Sequence, residues 1–319
     1  MKKLALILAF VLFSTAALAQ SYPNHPVKVI VPWPPGQATD IAARMLAAKL
    51  QESMGQAFII DNRAGAGGSI GTEIAAKSPA DGYTLLAASS GPVSIMPSLQ
   101  KLSYDPQKDL TLIALITRNP YVLVVHPSFP ANNAKEFVAL ARANPDKYTF
   151  ASSGTGATAH LVAELFNSMA QIKARHIPYK GSAPAITDIL NGQVTYTVET
   201  VASLVSHIRS GRLKALGVST ARRAAALPDV PTLMEAADLP DYDVAAWIGY
   251  AVPSATPRDI VLRLSGEIQQ ALQGVELRER LLNAGLDPVA STPDELVAFM
   301  RKEQERYAAV IKNANIRVE

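Results

Sequence analysis

The chain has 319 residues, of which 49% are hydrophobic, and it contains no cysteine. The absence of cysteine excludes disulfides, cysteine-ligated metal sites and cysteine nucleophiles. Its 30 basic and 27 acidic side chains leave a formal charge of only +3 at pH 7. No basic face is interleaved with aromatic residues, so nucleic acid is not a predicted partner. The length predicts two domains, at roughly 100–200 residues per domain.

The first 19 residues have the pattern of a cleaved export signal. Residues 1–3 are a short basic start, residues 4–13 are an unbroken apolar run, and residues 17–19 supply an A-x-A sequence before Gln20. The apolar run is shorter than the roughly 20 residues that a membrane-spanning helix needs. We therefore predict a signal peptide over residues 1–19, cleaved near Ala19 and Gln20, and an exported mature protein.

Strand-like and helix-like patterns alternate along the mature chain. A strand predicted at residues 27–31 leads through a turn-rich segment into a helix, with Thr39 as its expected N-cap and Gly55 at its end. Thr292 and Glu295 have the spacing of a capping box. Further strands are predicted at residues 58–60, 83–87, 121–125, 148–151, 194–198 and 213–218, and further helices at 133–143, 157–169, 256–274 and 292–312. This alternation predicts an α/β protein with a parallel sheet.

The α/β pattern occurs twice without sequence repetition, which predicts two lobes. The chain is expected to cross between the lobes near Pro120 and near Trp247. A cleft between two domains is a common place for a ligand, so we expect the binding site there.

Two glycine-rich motifs could carry chemistry. Residues 67–71 match G-x-S-x-G, and Ser69 with Asp188 and His207 would give the order of a serine hydrolase triad. The motif does not follow a strand directly, which favours a loop that closes onto a helix, and a secreted serine hydrolase using Ser69 remains the alternative. Residues 154–159 match G-x-G-x-x-A, but no acidic residue follows about 20 positions later, so a dinucleotide is not predicted.

The loops around Gly36 and Gly154 share a simpler property, because each leads into a helix. A helix N-terminus presents unpaired N–H groups and partial positive charge, which suits an anion. Hydroxyl groups of Ser153, Thr155 and Thr39 would add donors. One such loop in each lobe would hold a carboxylate-bearing ligand from both sides. His160 follows the second loop and either lines the site or caps the helix locally.

At these residues the sequence resembles the periplasmic receptors of tripartite tricarboxylate transporters, the Bug-type family. The similar stretches read VIVPWPPGQATDIAARMLA, NRAGAGGSIGTEIAAKSPADGYTLL, SSGTGATAHLVAELF, HIPYKGSAPAITDILNGQV and LPDVPTLMEA. The resemblance implies an α/β, bilobal, type II-like periplasmic-binding-protein fold with a hinge, and a non-catalytic receptor without cofactor or metal. The implied ligand is a small carboxylate, namely a di- or tricarboxylate, an aromatic acid or an amino acid.

The resemblance also implies partners and domain limits. The partners would be the membrane permease subunits of such a transporter, or a sensor protein as in some relatives, and the receptor is expected to be a periplasmic monomer. Lobe 1 would comprise residues 20–121 and 248–319, and lobe 2 residues 122–247. The candidate ligand-binding residues are Trp33, Pro35, Gly36, Gln37, Thr39, Asp40, Ser89, Ser90, Ser152, Ser153, Gly154, Thr155, Gly156, His160, Lys180, Glu199 and Thr200.

Three features depart from the family pattern and leave the identity of the ligand open. Gln37 stands where a second glycine is usual, and its amide could reach the ligand or narrow the pocket. Residues 89–97 lack the histidine and asparagine associated with the family. Glu199 replaces an aspartate, and an acid in a carboxylate site invites a ligand amine or hydroxyl, or requires a water.

Overall fold

The computed structural model describes residues 22–240 and 242–313, so the predicted signal peptide lies outside the described residues. Helices and strands alternate through these ranges, and the predicted mixed α/β class is confirmed. Within the same ranges, no helix combines the length and apolar character needed to cross a membrane.

The secondary structure falls into three consecutive groups. The first group consists of β1 (Val27–Val31), α1 (Ala38–Met54), β2 (Phe58–Asn62), α2 (Ser69–Ala76), β3 (Thr84–Ser89) and α3 (Met96–Leu99). The second consists of β4 (Leu110–Val125), α4 (Ala134–Ala143), β5 (Thr149–Ser152), α5 (Thr158–Met169), β6 (Arg175–Pro178), α6 (Ser182–Leu190), β7 (Tyr196–Thr200), α7 (Val201–Arg209), β8 (Lys214–Val218) and α8 (Leu233–Ala237). The third consists of β9 (Ala245–Pro253), α9 (Arg258–Gln273), α10 (Val275–Asn283), β10 (Asp287–Pro288) and α11 (Pro293–Asn313).

The strands form one continuous sheet in the order β2-β1-β3-β9-β4-β7-β5-β6, with β8 and β10 also paired to β4. β1 runs parallel to β2 and β3, and β5 runs parallel to β6 and β7. The centre of the sheet is antiparallel, because β9 pairs in that sense with both β3 and β4. The predicted parallel sheet is therefore correct for the two outer parts and wrong for the centre.

Strand β4 connects the two parts of the sheet. Its residues up to Pro120 pair with β9, whereas Tyr121 and the residues after it pair with β7 and β8. The change of partner lies next to Pro120; a crossing between two lobes at this position stays a prediction. The strand that pairs with β4 up to this position is β9, in which Trp247 pairs with Arg118.

Each part of the sheet is covered on both faces by apolar side chains. Successive residues of a strand point to opposite faces, so Leu85 and Leu86 enter different cores in the first part. In the second part, Leu123 and Val124 are divided between two cores in the same way. Helix α11 packs across the junction, where Tyr307 belongs to a small cluster with Leu161 of α5. Burial on both faces explains why the strands are rich in aliphatic residues rather than alternating.

The helix ends agree with the sequence in two cases and differ in one. Gly55 ends α1 in the left-handed conformation, with φ of 71°. The capping box at the start of α11 is confirmed, because Thr292 N–H donates to Glu295 and Glu295 N–H donates to Thr292 Oγ1. The expected N-cap at Thr39 is wrong: α1 begins earlier, at Ala38, and Gln37 is its N-cap without a side-chain capping bond.

Candidate functional site

A small cavity of about 40 Å³ lies where the loops of the two sheet parts meet the crossing strands β4 and β9. Such a volume exceeds that of a single water site but accommodates only a compact group. The described residues that line it are Trp33, Gln37, Ala38, Thr39, Ser89, Ser90, Asn119, Tyr121, Ser153, Thr158, Ala159, Ser182, Glu199, Thr200, Ser203, Ala246, Trp247 and Ile248. Both sheet parts therefore contribute walls to one polar cavity.

Four helices start at the lining of this cavity. Helices α1, α5 and α6 begin at Ala38, Thr158 and Ser182, and Thr200 is the N-cap of α7. None of these four helices has a side-chain hydrogen bond capping its N-terminus. Their first-turn N–H groups and their dipoles favour an anion. No lysine, arginine or histidine is among the described lining residues, so helix termini and neutral donors supply the positive potential.

Three lining side chains are buried without hydrogen-bond partners among the described residues. They are Gln37 through Nε2, Asn119 through both Nδ2 and Oδ1, and Trp247 through Nε1. Asn119 and Trp247 are each 0% exposed. Buried polar groups in folded proteins are nearly always paired, and an unpaired donor or acceptor costs about 1–3 kcal/mol. These atoms are therefore suited to pair with a bound molecule.

Glu199 is the one carboxyl group in the described lining. Ser182 Oγ donates to Glu199 Oε2 at 2.7 Å, and Thr200 N–H donates to Oε1 at 2.7 Å. Burial raises the pKa of Glu199, although the hydrogen bonds from Thr200 and Ser182 act in the opposite direction. The side chain is thus held in a fixed position by the starts of α6 and α7.

Two serines at the end of β3, Ser89 and Ser90, connect the cavity wall to Trp33 and to strand β9. Trp33 Nε1 donates to Ser89 Oγ at 2.9 Å, which fixes the indole ring at the cavity wall. The hydroxyl of Ser90 accepts the backbone N–H of Trp247 at 2.8 Å. These two serines therefore hold the wall of the cavity as well as lining it.

Asp40 is not among the described residues that line the cavity. It lies in the first turn of α1 and contacts the loop around Gly36. Its carboxylate accepts hydrogen bonds from Gly36 N–H, from the Arg44 guanidinium and from Asn62 Nδ2. Burial opposes ionisation of this carboxyl, but the hydrogen bonds from Arg44, Gly36 and Asn62 outweigh it and lower the pKa of Asp40. Asp40 thus braces the turn that leads into α1.

Replacement of Asp40 by asparagine is expected to reduce the free energy of unfolding by about 1–3 kcal/mol at pH 7, because charge-assisted hydrogen bonds are lost. A lowered pKa in the folded state gives stability that is present above the unfolded pKa and lost as pH falls through the folded pKa. The difference between wild type and Asp40→Asn should therefore shrink below about pH 4. Urea titrations over this pH range measure it, with the exposed Asp229→Asn as control. A constant difference down to the lowest pH would contradict the bracing role.

Two histidines contact the loop of residues 152–156, which is the second of the two loops predicted to bind an anion. Gly156 N–H donates to His160 Nδ1 at 3.2 Å, and Ser152 Oγ contacts His176 Nε2 at 2.6 Å. The two imidazole rings stack with centroids 3.9 Å apart. His160 is absent from the described lining of the cavity, and it accepts the N–H of Gly156 in the loop before the N-cap residue of α5. A role for His160 in contacting ligand stays a prediction.

The structure divides the predicted binding residues between the cavity and its surroundings. The predicted residues in the cavity lining are Trp33, Gln37, Thr39, Ser89, Ser90, Ser153, Glu199 and Thr200. Gly154, Thr155 and Lys180 line an adjoining groove of about 470 Å³. Pro35 and Gly36, again with Lys180, line another of about 320 Å³. The remaining four are Asp40, Ser152, Gly156 and His160, which hold the two loops in place.

Some lining residues were not predicted from the sequence. They are Ala38, Asn119, Tyr121, Thr158, Ala159, Ser182, Ser203, Ala246, Trp247 and Ile248. The helix-start residues among them follow directly from the predicted loops and could have been included. Asn119 had a signal as well, since it is a polar residue directly before the proline at the predicted crossing.

The arrangement required for a serine nucleophile is not formed at the G-x-S-x-G motif. Ser69 Oγ is buried, and no histidine or carboxylate among the described residues is hydrogen-bonded to it, whereas an activated serine needs an adjacent base. Asp188 accepts the hydroxyl of Tyr179 at 2.6 Å, and His207 lines the groove that contains Pro35. The described residues also contain no cluster of three or more potential metal ligands.

Comparison with known proteins gives consistent results over nearly the whole chain. The profile of the tripartite tricarboxylate transporter family receptor matches residues 42–316. Protein BugT of Bordetella pertussis is 38% identical over 305 residues, which cover 94% of this chain and 92% of that protein.

Two solved structures from Rhodopseudomonas palustris are similar throughout. Rpa4515 with adipate has a TM-score of 0.90 and 33% identity, covering 93% of this chain and 99% of that one. MatC with bound malate has a TM-score of 0.85 and 31% identity, covering 91% and 100%. The solved structure of the periplasmic binding protein BugD is also similar, with a TM-score of 0.88 and 32% identity, covering 93% of this chain and 100% of that one, and it confirms the periplasmic-binding-protein fold that the resemblance implied. The chain therefore belongs to the tripartite tricarboxylate transporter receptor family, the Bug-type periplasmic solute-binding receptors.

Proposed function

We propose that this receptor captures a small carboxylate in the cavity between its two sheet parts and delivers it to the membrane permease subunits of a tripartite tricarboxylate-type transporter. The protein would act without a catalytic step, as a monomer in the periplasm after removal of residues 1–19. Delivery to a sensor protein would use the same bound form.

The observation that carries the proposal is the convergence of four uncapped helix N-termini on one cavity. The unpartnered N–H groups of Gln37, Asn119 and Trp247 lie in the same lining. Donors without acceptors in an enclosed site match the oxygen atoms of a carboxylate. The similar structures with adipate and malate support this ligand class.

We further propose that the receptor closes by hinge motion at β4 and β9. Lobe 1 would comprise residues 20–121 and 248–319, and lobe 2 residues 122–247. The change of partner along β4 after Pro120 supports this division. Binding would shift the equilibrium from open to closed, and the closed form would dock on the permease. The small volume of the cavity, about 40 Å³, fits a closed conformation.

A thermal-shift screen tests the function directly. The purified protein is partly unfolded and refolded to remove any ligand that it carries, and is then mixed with mono-, di- and tricarboxylates, aromatic acids and amino acids. A ligand at 100 times its dissociation constant should add about 2.7 kcal/mol to the free energy of unfolding. The matched uncharged amides should have no effect. If no carboxylate raises the melting temperature, the proposed function is wrong.

A further inference from the structure

We propose that the ligand carries a hydrogen-bond donor, either a hydroxyl or an ammonium group, in addition to its carboxylate, and that Glu199 and Asn119 recognise that donor. This inference rests on the proposed function and narrows its ligand class. It predicts that carboxylates with a hydroxyl or ammonium group bind more tightly than carboxylates without one, such as plain aliphatic acids.

The first support is the acceptor capacity of Glu199. The side chain is only 5% exposed, and its two oxygens accept hydrogen bonds from Ser182 and Thr200. A carboxylate has about four acceptor positions, so these donors leave room for another. No cationic side chain is among the described lining residues that could pair with it. A hydrogen-bond donor on the ligand would fill the acceptor positions of Glu199 that remain.

The second support is independent and comes from Asn119. Both ends of its amide lack partners among the described residues, and the residue is 0% exposed. A ligand carboxylate can accept from Nδ2 but has nothing to offer to Oδ1. A ligand with both an acceptor and a donor satisfies the two ends of this amide directly, whereas a plain carboxylate needs an additional bound water to do so.

The third support is the balance of charge in the cavity. An unsubstituted carboxylate would bring a negative group into an enclosed space that already contains the carboxyl of Glu199. A second carboxylate beside Glu199 therefore either repels it or forces one of the two groups to take up a proton, and both disfavour binding. A hydroxyl or ammonium group directed toward Glu199 replaces this repulsion by a hydrogen bond, while the helix N-termini hold the ligand carboxylate.

The test uses sets of three ligands with one carbon skeleton each, which differ only in the donor. Suitable sets are propionate, lactate and alanine; succinate, malate and aspartate; and 3-phenylpropionate, phenyllactate and phenylalanine. Dissociation constants are measured by isothermal titration calorimetry on the ligand-free full-length mature protein. In the set that fits the cavity, the donor-bearing members should bind about 10- to 100-fold more tightly than the unsubstituted acid.

Glu199→Gln tests the assignment, because glutamine keeps the shape and one acceptor while removing the charge. In this variant the donor-bearing ligand should bind no more than about threefold more tightly than the unsubstituted acid. An ammonium ligand should lose more affinity than a hydroxyl ligand, because its hydrogen bond to Glu199 is assisted by charge. The exposed Glu276→Gln is the control and should keep the wild-type preference.

The outcomes are distinguishable from a failure of the proposed function. If an unsubstituted acid binds as tightly as its hydroxy and amino counterparts in the wild type, the inference is wrong, although the receptor function stands. An undiminished preference in Glu199→Gln would also overturn the assignment. If no member of any set binds, the carboxylate receptor itself is refuted. The wild-type ranking gives a result even if the variant does not fold.

Discussion

Gly71→Ala is expected to destabilise the protein by about 3 kcal/mol, the upper part of the usual range for overpacking a filled interior. A Cβ at this position would lie 2.5 Å from the carbonyl oxygen of Arg63 and 2.8 Å from Cα of Pro32. Both are backbone atoms, so neither can move away as a flexible side chain would. Urea unfolding at pH 7 measures the loss.

Two matched substitutions show whether the effect is specific. Gly266→Ala, also in a helix but with no atom within 4 Å of its Cβ position, should stabilise the protein by up to about 1 kcal/mol through helix propensity. Ser69→Ala should change stability by less than about 1 kcal/mol, because Ser69 Oγ has only a weak contact with the Tyr104 hydroxyl to lose. Equal effects of Gly71→Ala and Gly266→Ala would contradict the close approach. Loss of ester hydrolysis in Ser69→Ala would instead revive the hydrolase alternative.

The G-x-S-x-G motif illustrates how a sequence pattern can have a packing cause. Gly71 belongs to α2, and the absence of a side chain lets this helix approach the loop that follows β1. The spacing from the preceding strand already indicated a glycine-rich loop rather than a nucleophile elbow. The structure identifies the atoms that exclude a larger residue at position 71. A single sequence does not identify these atoms.

Most of the short strands and the longest helices could be predicted because their signals are local, although the short strands β6 and β10 were not predicted. Runs of β-branched residues and apolar residues at helical spacing identified β1 and α11 within two residues of their observed ends. The central strands were missed or shortened: β9 was not predicted, and only residues 121–125 of β4 were. Their antiparallel pairing joins residues that are more than 100 positions apart. Such pairing depends on the whole fold and leaves no local pattern.

The residues of the candidate site likewise divide into those with a local sequence signal and those without one. The loops before α1 and α5 could be identified, because glycine and hydroxyl residues at a helix start have a direct physical reason to bind an anion. Asn119, Tyr121 and Trp247 lie on crossing strands and reach the cavity only after the two sheet parts come together. Asp40 was predicted near the ligand, and its carboxylate accepts the Gly36 N–H and so positions the loop; a ligand contact of Asp40 stays a prediction.

His176→Gln is expected to remove a large part of the sensitivity of the fold to acid. Burial, and then the neighbouring His160, lower the pKa of His176 from its usual 6.5 to about 3. His176 is therefore neutral in the folded protein at pH values where it is already charged in the unfolded chain. Between about pH 6.5 and 3 the unfolded state binds more protons, so stability falls as pH falls.

The size of this effect follows from the same shift. The slope is at most about 1.4 kcal/mol per pH unit, which amounts to roughly 3 kcal/mol between pH 7 and pH 4. Glutamine does not titrate, and it can keep a polar contact with Ser152. Urea unfolding at pH 7, 5.5 and 4 should therefore show a flatter acid limb for His176→Gln than for wild type, whereas the exposed His25→Gln control should follow the wild type. An acid limb as steep in His176→Gln as in the wild type would mean that the titration of His176 does not contribute to the acid sensitivity, and would contradict this prediction.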